Sequence, residues 1–325
     1  MIRLGCRAAL ALIPSGLSLA LAAELRADPS GPSLVQRDVV EVSPTKGVHV
    51  GLVEIDNRLG DVRIEGHDRD SISIMAVKRA PDQETMERLK VLLVPDPNGS
   101  VSITTALKAG QESRPVRAGS VRIDLVVLAP RQARVRAQVW KGRLEVTRVD
   151  NGADLSTDDG DIAVSEVSGA VSTQSGHGRH TFAQIDGAVD ARSLIGDMDL
   201  DLIRGDRLAA VVHQGDVIGR RIRVRDLSVR IVRGSVRLEG EAVLGGHYSV
   251  ASYWGNVEVK FSGKAPLKVL ARTRTGAVAL PPHFRRRQGP GGLLTAYSTA
   301  TTPRHPAELD LRTRVGMISV IVAEF

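Results

Sequence analysis

The chain has 325 residues, a formal net charge of +7, 3% aromatic residues and one cysteine. A single cysteine excludes an intrachain disulfide framework and a zinc-thiolate cluster. So few aromatics argue against binding single-stranded nucleic acid by base stacking, and against an outer-membrane barrel with aromatic girdles.

Residues 1–22 place Arg3 and Arg7 ahead of an apolar run that ends in the small-x-small site Ala20-Leu21-Ala22. This is the pattern of a secretory signal peptide cleaved after Ala22. An uncleaved anchor is the competing reading, but the run is short and is interrupted by Pro14 and Gly16. No later stretch approaches the ~18 uncharged apolar residues of a spanning helix, so no transmembrane span is expected in the mature chain. Cleavage would remove Cys6, two arginines and no acid, leaving no thiol and a charge of +5.

Residues 31–134 read as an N-terminal β cap containing a first coil. They hold the strand-like runs SISIMAV, SVSITTAL and VRIDLVVLAP, a short helix around ETMERLK, and a turn at Asn98-Gly99. From residue 135 a repeat dominates. Gly142, Gly160, Gly178, Gly196, Gly215, Gly234, Gly255 and Gly276 recur every 18 to 21 residues, and Gly60 and Gly316 fit the same frame. Of the twenty residues two and four places after these anchors, only His180 and Gly219 are not apolar. The positions seven and five before the anchor are also apolar, with Thr173 the polar exception. Alternation on both sides of a glycine describes two half-buried strands joined at a bend. A second glycine series, Gly152, Gly169, Gly187 and Gly205, marks a second bend.

One such unit cannot bury its apolar face alone, whereas stacked copies share a core. The expected fold is therefore all-β, with a parallel β-solenoid of short coils over 135–280. A run of antiparallel hairpins is the competing topology. Residues 281–306, rich in Pro, Gly and Arg, read as a surface loop, and 307–325 as a final coil.

The runs IDNRLGDVRIEGHDRDSISIMAVKRA and TDDGDIAVSEVSGAVSTQSG carry a repeated signature at Gly60-Asp61-Val62, Gly160-Asp161-Ile162 and Gly215-Asp216-Val217. In these residues the chain resembles the bacterial putative adhesin family of β-strand-repeat proteins, a domain of unknown function, over about residues 48–322. The resemblance implies an exported, non-catalytic β-repeat protein.

Asp158, Asp159 and Asp161 invite a calcium or catalytic reading. The column after the anchor, however, runs Arg143, Asp161, Arg179, Asp197. Arginines occupy alternate coils where a calcium solenoid needs acids, so a turn and charge ladder is expected. His180 stands in an inward column and calls for a polar partner, with Thr173 the candidate on the opposite strand. No nucleophile elbow, phosphate loop or paired-histidine helix is present, so no catalytic residue, metal ligand or cofactor is assigned. The strongest surface signal is basic: Arg220, Arg221, Arg223, Arg225, Arg230, Arg233 and Arg237, with Arg272 and Arg312 sharing the column of Arg230. Such a stripe suits anionic envelope polysaccharide, lipid headgroups or an acidic envelope protein. Nucleic acid is not expected as a physiological partner of an exported chain. The function expected is a structural, adhesion or binding module of the cell envelope, in the periplasm or at the cell surface. A polysaccharide lyase or hydrolase on a β-helix, or a calcium-binding solenoid, is the alternative.

Overall fold

The computed structural model describes residues 34–42, 49–108, 120–262, 265–289, 293–298 and 305–323. The expected signal peptide and Cys6 lie outside the described residues. Ser33–Phe325 forms one compact unit.

Its described residues form an all-β structure, with one short helix. Each anchor glycine separates a strand of a front ladder from a strand of a back ladder. The central coils are β8 (Arg134–Lys141) with β9 (Leu144–Val149), β10 (Ala153–Asp159) with β11 (Ile162–Ser168), and β12 (Val171–His177) with β13 (His180–Asp186). In each pair the first strand is in front and the second behind. Next come β14 (Val189–Ile195), β15 (Met198–Gln214), β16 (Val217–Arg233), β17 (Val236–Glu241), β18 (His247–Trp254) and β19 (Val257–Ser262). β15 and β16 each start in the back ladder and cross the second bend into the front one. Within both ladders neighbouring coils pair in parallel with like positions aligned: Ala153 with Val171, Ile162 with His180.

Three inward positions in each strand build the core. In front these are seven, five and three residues before the glycine; behind they are two, four and six after it in β17 and β19, and two, four and seven after it in β9, β11, β13, β15 and β16. The last breaks strict alternation, and the backbone supplies the reason. The residue six after the anchor, Arg148, Glu166, Gln184, Leu202 or Arg221, adopts φ of 53 to 60°. This left-handed residue re-aims the strand, so Val149, Val167, Ile185, Ile203 and Ile222 turn inward and are buried. The five left-handed residues share no side-chain chemistry, and their column is invisible in the sequence. Each fully buried Ile, Leu or Phe of the core contributes about 1.5–3 kcal/mol.

Only glycine fits at the anchor. At Gly178, where φ is +143°, a Cβ would lie 1.9 Å from the carbonyl oxygen of Gly160 in the coil beneath. The same close approach orders the whole stack, and at both ends that order departs from chain order. Gly142 sits against Gly60, although 82 residues separate them, and Gly276 sits against Gly316, which itself sits against Gly255.

At the N-terminal end the chain first lays down β2 (Leu52–Leu59) and β3 (Val62–His67). It then passes outward through β4 (Ile72–Ala80), α1 (Gln83–Arg88), β5 (Leu89–Pro95), β6 (Ser100–Leu107) and β7 (Arg122–Pro130). It returns as β8 and β9 on the opposite side of the first coil. The Asp82 carboxylate caps α1 by accepting the Thr85 amide hydrogen at 2.7 Å. β1 (Leu34–Val42) closes this end against β4.

At the C-terminal end β20 (Leu267–Thr275) and β21 (Val278–Ala279) form the outer coil first. β24 (Ala307–Val315) and β25 (Ile318–Ala323) then enter the space between that coil and β18 and β19. The segment read as 307–325, the last in sequence, is thus next to last in the stack. Within 281–306, read as a loop, β22 (Arg285–Gln288) and β23 (Leu294–Tyr297) form an antiparallel hairpin along the edge of β20.

The sheet is therefore mixed, which corrects the expectation of a purely parallel solenoid over 135–280, since β20 also pairs antiparallel with β23. Among the described residues five pairings are antiparallel: β1 with β4, β4 with β7, β5 with β6, β20 with β23, and β22 with β23. All lie at the two ends, where a parallel ladder would otherwise expose a row of unpaired backbone groups.

Candidate functional site

The Gly-Asp signature has a backbone role. In the parallel ladders the anchor glycine and the residue two after it donate to the next coil, as Gly160 does to His177 O and Ile162 to Arg179 O. The amide between them has no ladder partner, and where the adjoining coil carries an aspartate in this column its carboxylate accepts it. Asp61 takes the Arg143 amide hydrogen at 2.8 Å, Asp161 that of Arg179 at 2.8 Å, Asp197 that of Asp216 at 3.0 Å and Asp216 that of Ser235 at 2.7 Å. Asn256 does the same for Met317. Asp161 thus holds backbone, where a side-chain charge ladder was expected; of that ladder the Arg179–Asp197 pair forms, at 3.2 Å. Because the donor is an amide, the next residue can be Arg, Asp or Ser, which is why the column shows no consistent sign. Among the described residues no group of three His, Cys, Asp or Glu could hold a metal ion.

His180 is completely buried. Its Nδ1 lies 3.1 Å from Thr173 Oγ1 and its Nε2 2.7 Å from Ser175 Oγ. Burial, slightly opposed by Asp161, pushes its pKa down to about 4, so the ring is neutral at pH 7. Thr173 was the partner expected from the sequence. Ser175 was missed, although it stands in an inward column three before the glycine. Elsewhere this column bonds glycine carbonyls: Ser252 donates to Gly234 O and Thr313 to Gly255 O, both at 3.1 Å.

What faces solvent on the front ladder is the candidate site. Two shallow grooves run across its strands from β6 to β18 and share Gln174. The N-terminal groove, about 490 Å³, is lined by Ser102, Thr104, Gln138, Ser156 and Ser172, with charges that answer one another. Arg136 meets Glu54 at 2.6 Å, Arg134 meets Asp154 at 3.0 Å, and beside it Lys141 meets Asp159 at 3.2 Å. The C-terminal groove, about 620 Å³, is lined by Leu194, Val211, Val232, Ala251 and Tyr253, with Arg192 and Arg230 among them.

The nine arginines singled out in the sequence are all exposed, but they divide between two faces. Their run in sequence covers the crossing of β16 from back to front, so consecutive side chains look in different directions. Arg230, Arg233, Arg272 and Arg312 lie on the front ladder. Arg220, Arg221, Arg223 and Arg237 belong to the back ladder, and Arg225 to the bend between. Arg221 pairs with Asp201, Arg223 with Glu241, Arg237 with Glu258 and Arg312 with Asp310.

An aromatic cluster on the front border was not anticipated. Tyr253 and Trp254 meet edge-on with ring centroids 4.2 Å apart. The Arg233 guanidinium lies 5.3 Å from the Trp254 ring, and that of Arg314 lies 4.7 Å from Tyr253. Arg314 reaches Tyr253 only because β24 enters beside β18. The repeat could align their columns but not their coils.

Neither a family model nor a curated protein sequence matches the chain. Solved structures similar to it include a putative adhesin from Bacteroides fragilis NCTC 9343, 13% identical, covering 88% of this chain and 97% of that one with a TM-score of 0.33. Another putative adhesin, from Parabacteroides merdae ATCC 43184, is 8% identical, covers 88% and 96%, and has a TM-score of 0.34. A putative lipid binding protein from Parabacteroides distasonis ATCC 8503 is 10% identical, covers 88% and 96%, and has a TM-score of 0.35. The first two bear the label of the family that the Gly-Asp repeat resembles. Likenesses this distant carry no information about function.

Proposed function

We propose that this chain is an exported, non-catalytic binding module of the cell envelope, built as a parallel β-solenoid, that contacts an anionic envelope partner along its front face. The observation that carries the reading is the run of two adjoining grooves across successive front strands, whose outward columns repeat at one strand spacing, ~4.8 Å. Such a face suits many small contacts with an extended partner better than one enclosed reaction centre. The solenoid reading is supported by the 18-residue register of the central coils and by the restriction of antiparallel pairing to the ends. Export, to the periplasm or the cell surface, rests on the signal-peptide pattern of residues 1–22. Among the described residues no helix is long and apolar enough to cross a membrane.

The test is retention of the exported chain on isolated envelope material at low salt. Retention that falls as salt rises, and falls again when Arg230, Arg233 and Arg272 are changed to Gln, is the expected result. No retention on any envelope fraction would overturn the proposal.

A further inference from the structure

The C-terminal half of the front face combines two chemistries. Arg192 and Arg312 are each paired to the aspartate two residues away, Asp190 and Asp310. Arg230, Arg233, Arg272, Arg274 and Arg314 are exposed and take part in no ion pair among the described residues. Between them stand large exposed apolar side chains: Leu194 is 52% exposed, Trp254 44% and Met317 47%, with Ile195, Tyr253 and Val315 also open. All but Met317, which directly follows Gly316, lie on front strands as they run into their anchor glycines, on the coils from Gly196 to Gly276. Six coils at one strand spacing give a border about 24 Å long.

Apolar groups in such a row are not what an acidic sugar polymer needs, because recognising its hydroxyls takes convergent hydrogen-bonding groups. The combination does match a bilayer surface. Arginines meet phosphate headgroups, Trp and Tyr sit at headgroup depth, and Leu, Ile, Val and Met enter the acyl boundary. Resting on the proposed binding role of the front face, we infer that the partner of its C-terminal half is a membrane surface rich in anionic lipid. The positive excess selects the anionic headgroup, and the aliphatic and aromatic side chains between the arginines supply the insertion. The N-terminal half, where Arg134, Arg136 and Lys141 are each paired to an acid and Arg58 lies over Trp140, stays in water.

The experiment uses the full chain, expressed with its own N-terminal segment and purified from the exported fraction. It is mixed with vesicles of phosphatidylcholine alone or with 30% phosphatidylglycerol, a composition chosen for the test. Trp140→Phe leaves Trp254 as the sole tryptophan. Its emission should shift to the blue on the anionic vesicles only, whereas in Trp254→Phe the emission of Trp140 should not move. Arg233→Gln and Arg314→Gln should each weaken partitioning about fivefold. Arg220→Gln, on the back ladder, should leave it unchanged. A Trp254 emission that does not move, or partitioning that survives the front-face changes, overturns the inference. Retention on an acidic polysaccharide without vesicle binding overturns the lipid assignment but keeps the binding role; binding to neither, nor to any envelope fraction, removes both.

Discussion

The two halves of the front face use the same backbone for different surfaces. In the N-terminal half Glu54 answers Arg136 and Asp154 answers Arg134, and the groove is lined by hydroxyls and amides. In the C-terminal half arginines outnumber acids, and the groove is lined by Leu194, Val211, Val232 and Tyr253. Beneath both, the inward columns of the front ladder and the glycine stack are the same. The difference teaches that inward positions are spent on the fold, while outward ones can vary from coil to coil at little cost in stability. An exposed ion pair contributes only about 0–1 kcal/mol.

The largest expected effect tests whether the halves share one scaffold. Gly160→Ala in the first half and Gly234→Ala in the second would each set a Cβ within about 2 Å of a glycine carbonyl oxygen beneath, 1.9 and 2.0 Å respectively. Each should cost on the order of 4 kcal/mol or more, read as a matching collapse in thermal midpoint or folded yield. Gly245→Ala, at φ +69° with open space around it, should cost only about 1 kcal/mol. A tolerated change at either anchor would break the idea of a common stack.

His180, inside the stack between the halves, gives the next effect. Its folded pKa of about 4 lies below the ordinary 6.5. The unfolded chain therefore binds the proton first as pH falls, and stability is lost between about pH 6.5 and 4. The full loss amounts to about 3 kcal/mol at 1.36 kcal/mol per pH unit. Chemical denaturation at pH 7 and pH 4.5 should show most of this loss, about 2 kcal/mol, in the wild type. In His180→Leu the same interval should show a smaller loss, and an equal one would argue that the ring is not buried neutral.

Removing a backbone cap should cost less, about 1 kcal/mol. Asp161→Ala and Asp216→Ala free the amides of Arg179 and Ser235, one in each half. If caps rather than charge pairs matter, both lose the same stability and neither loss changes with salt. The smallest effect is a gain. Glu166 is exposed and held at φ 53°, so Glu166→Gly should stabilise by about 1 kcal/mol, measurable as a raised denaturation midpoint.

Much of this was legible because side-chain periodicity reports burial. The apolar columns around Gly160 named Ile162 and Val164 as core, and Thr173 as a partner of His180. The same run STDDGDIAVSEVSG gave no sign that Glu166 is left-handed, since that conformation is imposed by the bend and tolerated by Arg, Gln and Leu elsewhere. The role of Asp161 was half legible. Its column was plain, but a backbone acceptor cannot be told from a charge partner until the coils are in register. The arginine run read as one stripe because sequence proximity does not say where β16 changes ladder.

The sequence by itself determined the coil: its length, its glycine bends and its inward residues, all of which follow from local sterics and a repeated burial pattern. Only the tertiary structure decided the order of the coils. Parallel pairing is satisfied by any neighbour of matching register, so nothing local distinguishes Gly276 from Gly316 as the coil that rests on Gly255. That choice brings Arg314 to Tyr253, and with it the basic and aromatic border of the front face.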